Sequence, residues 1–70
     1  MIVNFNILKG DVSWDALIHQ LNSDVLLRHI LIKGNVDNMD IKLSYCEKTC
    51  EGSIINNNSN QLIGNFSISF

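Results

Sequence analysis

The chain has no proline among its 70 residues, so no ring-locked φ or missing N–H interrupts a helix or strand. Charge is also scarce: five basic and seven acidic residues make up 17% of the chain and leave a net charge of −2. The basic residues stand singly between Lys9 and Lys48, so no stripe exists to follow a phosphate backbone and nucleic acid is not an expected partner. No apolar run exceeds three residues, far short of the roughly 18 needed for a membrane-spanning helix. A basic leader followed by a long apolar stretch is missing from the N-terminus, which leads us to expect a cytoplasmic protein with reduced thiols. Glycines 10, 34, 52 and 64 are isolated, which excludes a glycine-rich phosphate loop.

What is present is apolar. Such residues form 46% of the chain, enough for a packed core and far from the polar composition of disordered segments. We expect one domain, residues 1–70, with room for a single core. In so short a chain, burial at about 25 cal/mol per Å² barely offsets about 1.5 kcal/mol of ordering entropy per residue. Additional support is expected from a disulfide, a metal or a second copy, and two cysteines allow one bridge at most.

Residues 2–8 set Val3, Phe5 and Ile7 against Asn4 and Asn6, the period of a half-buried strand. After Lys9-Gly10-Asp11, residues Trp14, Leu17, Ile18 and Leu21 recur at i, i+3, i+4 and i+7, which predicts one face of a helix. Ser13 would cap it, Val12 and Leu17 would staple it, and it would end near Asn22-Ser23. The branched run from Val25 to Lys33, closed by Gly34-Asn35, predicts a second strand. Met39, Ile41, Leu43 and Tyr45 alternate with Asp40, Lys42, Ser44 and Cys46 as a third strand. Ser53-Ile54-Ile55 predicts a short fourth strand before a solvated asparagine-rich loop at 56–60. Leu62, Phe66, Ile68 and Phe70 line one face of a fifth. The expected fold is α+β: a two-layer sandwich with one helix packed on a mostly antiparallel sheet, in the order β-α-β-β-β-β.

Few residues suggest chemistry. Cys46 and Cys50 enclose Glu47-Lys48-Thr49, a spacing one residue longer than the usual redox motif and supplying only two of the roughly four ligands of a zinc site. Ligand count favours two reduced thiols at a hairpin over half of a metal or small-molecule site completed by His29. His29, next to Arg28, is of the residue type that serves as a general base or a pH-sensitive interface group, but no acid or nucleophile is assigned beside it. The carboxylates Asp37 and Asp40, and Glu47 and Glu51, flank turns, where solvated acids normally sit. No cofactor and no catalytic set is expected. Trp14 reads as core by its spacing rather than as an exposed binding anchor.

The expected function is therefore that of a small non-enzymatic interaction or regulatory protein working through protein–protein contacts. The alternative is a small-molecule or metal-binding domain using His29 and the Cys46/Cys50 hairpin. A homodimer is expected because both alternating sets of the second strand are apolar and a single helix can cover only one. Leu26, Arg28, Ile30, Leu31 and Ile32 are the expected interface. The competing possibility is a helix that runs on to about Arg28 and shortens that strand.

Overall fold

The computed structural model describes residues 1–34 and 40–70. Five strands and one helix are formed: β1 (Ile2–Ile7), β2 (Val12–Leu17), α1 (Ser23–Lys33), β3 (Ile41–Cys46), β4 (Glu51–Asn56) and β5 (Leu62–Ser69). The strands make one antiparallel sheet in the order β2-β1-β5-β4-β3. The α+β class with one helix on an antiparallel sheet holds.

The second and third elements exchange identities relative to the sequence reading. Residues 12–17, expected in a helix, form β2, and residues 25–33, expected in a strand, lie in α1. Two physical signals decide the exchange. Gly10 and Asp11 both take positive φ, 81° and 53°, which turns the chain tightly into an antiparallel partner for β1. In that strand and the residue after it, Val12, Trp14, Ala16 and Ile18 alternate with Ser13, Asp15 and Leu17, so a period of two competes with the helical stripe and wins. Farther on, Asn22 caps α1, its side-chain oxygen accepting the Val25 N–H at 2.9 Å. Asp24 in the first turn and Lys33 in the last suit the helix dipole. At the other end the Gly34 N–H donates to the Ile30 carbonyl at 2.9 Å.

Smaller differences concern boundaries. The fourth strand extends over Glu51–Asn56 instead of 53–55. Asn35, Asp37 and Met39, the last expected to open the third strand, lie outside the described residues. The asparagine-rich turn is a hydrogen-bonded structure: the Asn56 side chain accepts the N–H groups of Asn58 and Ser59 at 2.9 and 3.3 Å, and the Asn60 N–H donates to the Asn56 carbonyl at 2.8 Å.

β1 and β5 occupy the middle of the sheet, and their inward side chains Val3, Phe5, Ile7, Phe66 and Ile68 form most of the core with Ile18, Leu26, Ile30 and Ile54. Because β2 and β3 are opposite edges, the connection between them must cross the sheet, a distance of about 19 Å at the usual strand spacing. α1, about 16 Å long, lies along that crossing and covers the inner face. The outer face carries Asn4, Asn6, Lys42, Ser44, Asn65, Ser67 and Ser69, as the alternation predicts, and there the Asn4 amide donates to Asp15 at 2.6 Å.

Candidate interaction surface

α1 is apolar around most of its girth. Val25, Leu26, Leu27, Ile30, Leu31 and Ile32 make up six of its eleven residues, yet only Leu26 and Ile30 are buried. These two stand four residues apart and turn onto the sheet, so neither is available as the surface residue expected of it. On the opposite side Asp24, Arg28 and Ile32 succeed one another at four-residue spacing, which stacks them on one face. All three are exposed, Ile32 to 79% of its full extent. Leu27, Leu31 and Val25 flank that row, each half-buried. Of the expected interface residues, the structure thus turns Arg28, Leu31 and Ile32 outward or sideways and sinks Leu26 and Ile30 into the core. The apparent two-faced strand is explained by a helix carrying a surplus of apolar side chains.

A second feature is an open trough on the outer face at the β3–β4 end, lined by Ser44, Ser53, Asn65 and Ser67, with Cys46, Thr49 and Glu51 at its rim. The Thr49 N–H, then its hydroxyl and the Lys48 N–H, hydrogen-bond the Cys46 sulfur and hold its thiol below the ordinary cysteine range. Cys50 points elsewhere: it packs against the core, and its thiol donates to the Glu47 carbonyl at 3.6 Å. Tyr45, also on the inner side, has its hydroxyl pKa pushed up by partial desolvation and then by the neighbouring Cys50. Both thiols are free.

His29 lies at a different place, half-buried under α1 with its ring 5.9 Å from that of Phe5 and tilted by 20°. Phe5 stacks in turn on Trp14 at 5.0 Å in β1 and β2, whereas the cysteines sit at the turn beyond the opposite edge. The structure therefore does not gather His29, Cys46 and Cys50 into one site. Among the described residues no group of three or more His, Cys, Asp or Glu side chains could hold a metal ion, and no helix is long and apolar enough to cross a membrane.

The apolar run from residue 25 to 32, whose branched side chains suggest a strand, is helical in the structure. Asn22-Ser23-Asp24, a cap followed by an acid, was the signal that would have started a helix there. Comparison with protein-family models, curated proteins and solved structures finds no match to the chain in any of the three.

Proposed function

We propose that this chain is a non-enzymatic interaction protein of the cytoplasm, that it works through protein–protein contacts as a homodimer, and that the outward flank of α1 is its contact surface. One observation carries the reading: a helix lying on a single sheet face needs an apolar stripe only a little over 100° wide, and α1 has a much broader one. A single exposed side chain such as Leu62, or a pair such as Ile2 and Leu17, is ordinary at a protein surface. Ile32 is exposed, and half-buried Leu27, Leu31 and Val25 stand around it on one short helix, an apolar grouping of the kind that marks an interaction site. The free thiols suit a reducing compartment.

Backbone amide spectra recorded over a dilution series test which surface is used. Concentration-dependent shifts are expected at Leu27, Arg28, Leu31 and Ile32, with Ser44, Ser53 and Asn65 unmoved. Shifts confined to the outer sheet face would contradict the assignment.

A further inference from the structure

Resting on that reading of α1, we infer that the occupant of its outer flank is a second copy of this chain, with the two helices antiparallel and Asp24 of each facing Arg28 of the other. Asp24 and Arg28 share the exposed row with Ile32, one turn apart and opposite in sign. A two-fold axis level with Leu26 reverses the order of the charges on the partner helix, so both acid–base contacts form at once, and Ile32 of each helix reaches just past the N-terminal end of the other. A parallel pairing in register would set Asp24 against Asp24 and Arg28 against Arg28. An antiparallel pairing centred on Arg28 would oppose two guanidinium groups. The charge pattern therefore favours this arrangement over those two, and it is closed and self-complementary as two-fold interfaces are. An eleven-residue helix offers a small contact, so the pair should dissociate on dilution through the micromolar range and weaken with added salt.

Two single variants separate this pairing from an ion pair within one helix, which the i, i+4 spacing would also permit. Asp24→Lys leaves two cations on the row and Arg28→Glu leaves two anions, so each variant alone should self-associate about tenfold more weakly than the wild type. Mixed in equal amounts, they should recover a two-chain mass in sedimentation velocity, because each cation then meets an anion across the interface. Both positions are exposed, and circular dichroism of each variant verifies that the helix persists. A mixture that stays monomeric while Ile32→Lys abolishes wild-type association would overturn the antiparallel pairing and leave the α1 surface in place. Undiminished association of Ile32→Lys would overturn the surface itself. A wild-type mass of one chain at every concentration would overturn the second copy as occupant.

Discussion

Trp14 shows how a residue can be read correctly for the wrong reason. Its spacing to Leu17, Ile18 and Leu21 suggested a helical core stripe. In the structure it reaches the core from β2, directly opposite Phe5 in the β1 register, and Gly34 closes over it from the end of α1. Its indole N–H is buried with no hydrogen-bond partner among the described residues. Trp14→Ala should therefore cost about 3–5 kcal/mol, while Trp14→Phe keeps the stacking and removes an unpaired donor, and should cost distinctly less. Urea midpoints of the two variants measure the difference, and equal losses would refute it. Gly52 makes a comparable case, because a Cβ there would collide with the Phe66 ring and approach the Ser44 carbonyl to 2.6 Å. Phe66 lies across that bare stretch of β4 with Tyr45 stacked on it at 6.1 Å. Gly52→Ala should destabilise the fold by about 1–3 kcal/mol through overpacking, again read from denaturation midpoints.

Cys46 allows a pH prediction at the same scale. Its thiol pKa is depressed by hydrogen bonds from Thr49 and Lys48, so the thiolate persists at lower pH than in an ordinary cysteine, and alkylation should begin to rise earlier on the pH axis. Any stability linked to this ionisation is present above the unfolded pKa and is lost as pH falls through the folded one. Replacing Thr49 by Ala removes the hydroxyl contact, and the alkylation profile of Cys46 should move toward higher pH. An unchanged profile would exclude that contact as a cause.

Among the elements, β1, β3 and β5 were legible because each alternates cleanly over at least four residues with small polar groups on the wet side. Residues 12–33 were not, because two periods fit the same apolar positions. Leu17 completes a helical stripe with Trp14, Ile18 and Leu21, and it is the one outer-face side chain of β2 that breaks the strand alternation; in the structure it is 68% exposed beside Ile2. Conversely Val25, Ile30 and Ile32 have strand propensity, but Leu26, Leu27, Arg28, Leu31 and Lys33 are good helix formers, and the Asn22 cap starts the helix. That cap gives a test at this scale. Asn22→Ala should lower stability by about 1 kcal/mol with the sheet intact, whereas Ser13→Ala, at the cap position of the helix the sequence suggested, should change it little. Thermal melts of the pair would tell against α1 as drawn if their sensitivities were reversed. The thiols and His29 were visible in the sequence as residues, but their separation was not, since it follows from the strand order and from which face each side chain takes.

At the scale of the whole molecule, the sheet order decides what is left uncovered. With β5 central, flanked by β1 and β4, and β2 and β3 at opposite edges, one crossing helix packs on the inner face, and a largely polar outer face is left open. On the outside of α1 this leaves Ile32 exposed between half-buried Leu31 and Val25, within the run that the sequence reading made a strand and the proposal makes a contact surface. A chain of 70 residues gains most from oligomerisation where such a surface is already available. Sedimentation equilibrium of the wild type beside Ile32→Lys measures this directly. The wild type should approach the mass of two chains as concentration rises, and Ile32→Lys, folded by circular dichroism, should remain at the mass of one. Equal association of the two proteins would contradict the account.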